Sequence, residues 1–217
     1  MFTRHPGAQM GTTETTSAVL ARRRSYHVGN VRSQLSLAAS ALLESEGASA
    51  LSLRAIARRT GVALGTVYYH YADKHALLAG LAAEGFRELA ATLRLARERL
   101  GPEGRLRVAG MAYLDFVSAR PALYGLMYEM RDIGRREEVE AAEGEAFAEM
   151  ALAVSEDAGA GAETEAIRQV AQAAWACARG IAALALARGG PGRLDENTVR
   201  EAVLGLEILV AGRPIRL

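Results

Sequence analysis

The sequence predicts an all-α fold of about nine helices, and three observations predict it. Alanine supplies 44 of the 217 residues; it is the best helix former and fits a pleated surface poorly. Apolar residues recur at three- and four-residue spacing along most of the chain, whereas no stretch alternates with period two. The breaks between these stripes carry glycines and most of the 5 prolines, the residues that punctuate helices. With half the residues apolar and 24% charged, the composition is that of a globular chain.

Residues 1–28 hold Thr, Gly, Ser and Arg without periodicity and read as a flexible tail. A first helix begins with the stripe Val31, Leu35, Ala38, Ala39, Leu42 and Leu43, and ends at Gly47, the natural left-handed residue past a C-terminus. Ser52 is placed to cap a short helix from Leu53 to Thr60, whose inner face is Leu53, Ile56 and Ala57. Gly61-Val62-Ala63 makes a tight turn into a second short helix, Leu64 to His70, after which Asp73 caps a long helix from Lys74 to about Leu100. Gly101-Pro102 breaks the chain. Residues 105–119 are apolar nearly all round, which predicts a central helix. Pro121 stops that helix and starts a shorter one, Ala122 to Met130; a charged amphipathic helix then runs from about Arg136 to Val154. After a loop at Gly159-Ala160-Gly161 come a long apolar helix, Thr164 to about Arg188, a turn at Gly189-Gly190-Pro191-Gly192, and a last helix from Asp195 to Val210. The expected organisation is a tail over 1–28, a small helical unit over 29–75 and a larger one over 76–217.

The net charge of +1 conceals an uneven distribution. Residues 20–80 sum to +5, whereas residues 81–217 sum to −4. A basic head on an acidic body orients a molecule as it meets nucleic acid. Lys74 is the sole lysine among 26 basic residues, a skew that fits coding bias better than any use of arginine's bidentate fork. The single cysteine, Cys177, excludes an intramolecular disulfide and suggests a reducing compartment. In an alanine-rich helix it reads as a small hydrophobe. No apolar run has signal-peptide or membrane-spanning length, so a cytoplasmic protein is expected. The histidines at 5, 27, 70 and 75 lack metal spacing, and no nucleophile-elbow, zinc-protease, P-loop or dinucleotide motif occurs. Neither a cofactor nor an enzyme activity is expected.

Chemistry concentrates between Ser52 and Lys74. Two short helices joined through Gly61 have helix-turn-helix dimensions. Arg54 can reach a guanine edge or a phosphate. Thr66, Tyr68 and Tyr69 offer hydroxyls to phosphate oxygens. Lys74 sits at a helix N-terminus, where the dipole favours an anion. Three of the seven tyrosines fall within four residues, Tyr68 to Tyr71, more than core packing alone explains.

The stretch L-R-A-I-A-R-R-T-G-V-A-L-G-T-V-Y-Y-H-Y-A-D-K-H-A-L-L, from Leu53 to Leu78, closely resembles the N-terminal domain of the TetR family of transcriptional repressors. The stretch Tyr113 to Val117 and the run Arg120 to Met127 resemble the ligand-binding half of a TetR subfamily named for a Trp-His-Gly signature. Here that signature reads Trp175-Ala176-Cys177-Ala178-Arg179-Gly180, with arginine in the place of histidine. The resemblance implies a homodimer that places the helix from Leu64 to His70 into the major groove at each half of a palindromic double-stranded DNA operator, and that a small-molecule inducer releases. By the same analogy Arg54, Leu64 and Gly65 lie nearest the bases. Ser52, Thr66, Tyr68, Tyr69, His70 and Lys74 meet mainly the backbone, and Leu53, Ile56, Val62, Val67 and Tyr71 hold the head together.

In the larger unit, Tyr113, Phe116, Met127, Met130, Phe147 and Trp175 are candidates to line a ligand cavity, against the plainer alternative of core packing. Arg179 amid apolar neighbours needs a counter-charge: an acidic ligand, or Asp115. The inducer expected is acidic or lipophilic. Ala171, Ala174, Ala178 and Ala182 on one helix, with Val199, Ala202, Leu206 and Val210 on the next, suggest a homodimer interface through the last two helices. Two rivals stand beside this reading: an all-α small-molecule binder or enzyme in which the three-helix unit is only structural, and a DNA-binding protein that senses no ligand.

Overall fold

Side-chain caps set where the first helices begin. In the computed structural model, which describes residues 31–99, 104–133, 136–159, 161–187, 201, 204 and 205, the first helix α1 covers 31–46 and ends at Gly47, whose φ is +80°. Ser52 has extended backbone and its hydroxyl accepts from the Ala55 amide at 3.0 Å, which starts α2 (Leu53–Thr60). Gly61, at φ +71°, turns the chain into α3 (Leu64–His70). The Asp73 carboxylate accepts from the Ala76 amide at 2.6 Å and opens α4 (Lys74–Glu98). Leu35, Ala39, Leu42 and Leu43 of α1 close over Leu51, Leu53, Ile56, Val67 and Tyr71, all buried, to make the head.

The remaining helices are α5 (Arg105–Ala119), α6 (Pro121–Ile133), α7 (Arg136–Ala158) and α8 (Thr164–Ala187). All eight follow the sequence pattern, and the described residues contain no strand. The expected tail over 1–28 and most of the expected last helix lie outside the described residues, although 201, 204 and 205 are helical.

The spine is α4 rather than the expected α5. Twelve α4 residues are buried, from Ala76 to Leu93, while α5 leaves Arg107, Asp115 and Ser118 exposed. Small residues explain the exchange, because α4 lets its neighbours approach closely. A Cβ at Gly80 would stand 3.0 Å from Tyr71 Cε1 of the head, and one at Gly85 would stand 2.8 Å from Met127 Sδ of α6. One continuous helix therefore packs against both the head and the body.

Two helix starts in the body are capped from a distance. Gly104 precedes α5 and has no side chain to cap it; Asp157 of α7 accepts from the Arg105 and Leu106 amides, both at 2.8 Å. Proline has no amide at the start of α6, and Glu44 of α1 accepts from the next two, Ala122 and Leu123, at 3.2 and 2.9 Å. Arg97 bridges Glu149 (3.2 Å) and Glu156 (2.7 Å) along the α4–α7 seam, and Arg105 also pairs with Glu156.

The alanine stripe of α8 points the other way from the expectation. Ala171, Ala174, Ala178 and Ala182 are buried in this chain's own core, where small side chains let α8 lie close on α5 and α7. The outward face carries Ala173, Cys177 and Leu184 instead, so the cysteine is exposed and not a packed hydrophobe. The second stripe, Val199 to Val210, falls outside the described residues.

Two glycines should respond oppositely to alanine. Gly61→Ala forces an L side chain into the left-handed region and should lower stability by about 1–2 kcal/mol. Gly125 lies inside α6 with nothing within 4 Å of an added Cβ, so Gly125→Ala should raise stability by about 0.5–1 kcal/mol. Urea midpoints shifting in the same direction would contradict this.

Candidate nucleic-acid interface and effector cleft

In α3 only Val67 is buried, and it anchors the helix to the head core. Gly65, Tyr68 and Tyr69 are exposed, and Leu64, Thr66 and His70 are half-buried. Tyr69 is 77% exposed, with its ring edge-to-face against His70 at 5.3 Å. Arg54 stands exposed on α2 beside α3. Ser52 spends an oxygen lone pair on the Ala55 amide, and its hydroxyl proton stays available as a donor. Burial, and then the charge of Arg32, hold the His70 imidazole below its ordinary value, so His70 is neutral at neutral pH.

Lys74 has a partner within the chain. Asp73 already supplies negative charge at the start of α4. The Lys74 ammonium reaches back to donate to the Ala48 carbonyl at 3.0 Å, tying α4 to the turn that follows α1. Two of its three N–H donors are left for other acceptors. Sequence reasoning assigned no role to Arg58 and Arg59, yet both are exposed in the last turn of α2. The +5 sum over residues 20–80 already contained their signal.

A cleft of about 580 Å³ opens between α7 and α8. It brings together three of the expected ligand residues: Phe147, Trp175 and Arg179. Arg131, Glu143 and Gln172 also line it and were missed, because polar side chains on three separate helices carry no common spacing. Tyr113 lies one layer beneath, its ring 5.2 Å from that of Trp175. Phe116, Met127 and Met130 do not line this cleft; they are buried in the core, Met127 against Gly85.

Beneath the cleft three phenols form a closed polar cluster. The Tyr113 hydroxyl is 3.0 Å from those of both Tyr124 and Tyr128. Burial raises all three above the ordinary tyrosine value. The Arg179 guanidinium sits over the Tyr128 ring, 4.1 Å from its centroid, a cation–π contact. The expected alternative, an Arg179–Asp115 pair, is absent: Asp115 lies on the exposed side of α5, and the ring face of Tyr128 takes the cation instead.

Polar joints connect these two regions. Arg120, at the α5–α6 corner, donates to Ser40 of α1 (2.6 Å) and Glu88 of α4 (2.7 Å) and lies 3.7 Å from Glu44. Glu44 in turn holds the start of α6, the helix that carries Tyr128.

A helix-turn-helix head with an outward aromatic and basic face, joined to a helical body containing a cleft, defines a one-component regulator: DNA at one end, a small molecule at the other. Residues 37–81 match the model for bacterial regulatory proteins of the tetR family, and residues 106–205 match the tetracyclin repressor-like C-terminal domain. Among solved structures, a protein of unknown function from Rhodococcus sp. RHA1 is 31% identical over 83% of this chain and 94% of its own, with a TM-score of 0.69. The TetR family transcriptional regulator PfmR of Thermus thermophilus shares the fold at 15% identity, covering 83% of this chain and 99% of its own (TM-score 0.57). So does a bacterial regulatory protein in the tetR family from Rhodococcus RHA1, at 20% identity over 82% and 94% (TM-score 0.57). No curated protein matches the sequence. The chain belongs to the TetR family and is a ligand-responsive, DNA-binding transcriptional regulator. Among the described residues no helix is long and apolar enough to cross a membrane.

The tyrosine cluster makes two measurable statements. Tyr113→Phe strips a shared partner from two buried hydroxyls and should cost about 1–3 kcal/mol in a denaturant titration. The three raised phenol values mean that the folded state holds these protons more tightly than the unfolded chain does. That stability is fully present below about pH 10, the ordinary tyrosine value, and is lost as pH rises beyond it. Tyrosinate absorbance from these residues should therefore appear together with alkaline unfolding. Full ionisation of all seven tyrosines near pH 10, with the fold intact, would contradict it.

Proposed function

We propose that the protein is a repressor that binds a palindromic operator as a homodimer and is released when a small molecule occupies the α7–α8 cleft. The carrying observation is the outward face of α3, with Gly65, Tyr68 and Tyr69 exposed beside Arg54. In this reading residues 29–75 are the DNA-binding head and 76–217 the effector and dimerisation body, although α4 crosses the boundary. The protein works in the cytoplasm and has no enzyme activity of its own.

Arg54, Leu64 and Gly65 approach the base edges. Leu64 and Gly65 offer no side-chain hydrogen bonds, so methyl contacts and DNA shape share the readout. Ser52, Thr66, Tyr68, Tyr69, His70 and Lys74 bond phosphate oxygens and set the register; Arg58 and Arg59 add charge there. The dimer forms through the outward face of α8, where Ala173, Cys177 and the 67% exposed Leu184 await cover.

Release follows from contacts already described. An occupant of the cleft bears on Trp175 and Arg179, which rest on Tyr113 and Tyr128. Tyr128 rides on α6, whose first amides are held by Glu44 of the head. A ligand that favours one packing of this chain of contacts shifts the head's orientation by its differential affinity and no more.

Fluorescence anisotropy with DNA from upstream of the protein's own coding region tests the DNA half. The logarithm of the affinity should fall linearly with the logarithm of salt concentration. Arg54→Ala should cost about 1–3 kcal/mol and relax discrimination among operator variants. A Tyr69→Phe substitution should weaken binding to all sequences alike. Binding that ignores both salt and Arg54 would overturn the assignment of this face.

A further inference from the structure

Among the described residues Arg179 has no ion-pair partner, although Glu140 and Glu143 line the same cleft. Its neighbour Arg131 is paired with Glu143 at 3.0 Å, and Glu140, which also lines the cleft, has an interaction of its own. Among the described residues no carboxylate lies within ion-pair distance of Arg179. The Tyr128 ring offsets part of its charge but accepts none of its five N–H donors in the plane of the guanidinium. A half-buried guanidinium with its fork unfilled is pre-organised for a planar, bidentate anion.

Part of the wall beside it is apolar. Trp175 and Phe147 stand edge to face, 5.9 Å between centroids. Gly144 of α7 and Gly180 of α8 also line the cleft, and a Cβ at either would meet nothing within 4 Å. Neither has a positive φ, so neither backbone geometry nor packing within the chain calls for glycine. In a protein with 44 alanines, alanine would serve the helices better at both places. Two missing methyl groups on facing helices keep open the space next to Trp175.

We propose that the α7–α8 cleft takes a small organic acid, its carboxylate bidentate on Arg179 and a flat apolar body lying against Trp175 and Phe147, over Gly144 and Gly180. This rests on reading the cleft as the effector site and names the chemical class of the effector. A volume of about 580 Å³ is in the range of small-molecule sites.

Trp175 is the only tryptophan, so its emission reports the cleft directly. The full-length protein is titrated with three probes sharing one body: biphenylacetate, biphenylacetamide and biphenylethylamine. The acid should bind saturably and at least about tenfold more tightly than the neutral amide, the amine more weakly still. Arg179→Gln should remove that preference while leaving the amide's affinity in place, which also shows that the variant is folded; Arg179→Lys should restore part of it. Gly180→Leu should weaken acid and amide together. If the amide or amine binds as tightly as the acid, the acid class is wrong and the cleft stands as an effector site. An acid preference that survives Arg179→Gln overturns the assignment to Arg179. No saturable change with any probe overturns both the class and the cleft.

Discussion

The fold depends on how closely other helices approach α4. Gly80 admits the ring of Tyr71 and Gly85 admits the thioether of Met127, each at a distance where a methyl group would collide. The first contact belongs to the head and the second to the body. Because α4 runs unbroken from Lys74 to Glu98, one continuous helix makes both contacts. Interiors this densely packed shift between discrete arrangements and do not deform smoothly. Head and body are thus both packed on one helix.

Polar joints supplement that helix without running along it. Glu44 holds the start of α6, and Arg120 binds α1 and α4 at the α5–α6 corner. Each ties the head to the body at a helix end, where backbone groups lack partners of their own. On the other side, Ser36 donates to Glu84, a half-buried carboxyl whose proton affinity is raised by partial burial against the opposing pull of Arg32 and Arg87. Exposed ion pairs contribute little to stability, so these joints matter chiefly for setting how the head sits on the body.

Much of the fold was legible because its signals are local. Ser52, Asp73, Gly47 and Gly61 cap or end helices through groups three or four residues away, and the structure places each as the pattern required. The α3 motif was legible for the same reason: Val67 goes inward and Tyr68 and Tyr69 outward within one turn. The failures involved choosing between faces. The alanines of α8 satisfy two roles, dimer seam or own core, and periodicity does not distinguish them. Apolar α5 looked central until the small residues of α4 proved better at gathering neighbours. Phe116, Met127 and Met130 carry the same apolar signal as Phe147 and Trp175, and only packing separates core from cleft wall.

By itself the sequence determined the helical class, the positions of the helices, the helix-turn-helix motif and the basic head, since each follows from residues close together in the chain. Only the tertiary structure decided that Lys74 bonds the Ala48 carbonyl, that Glu44 caps a helix 78 residues away, and that Arg179 rests on Tyr128 and not on Asp115. Those pairings join atoms distant in the chain. Their energies depend on which faces meet, a quantity that no window of sequence contains.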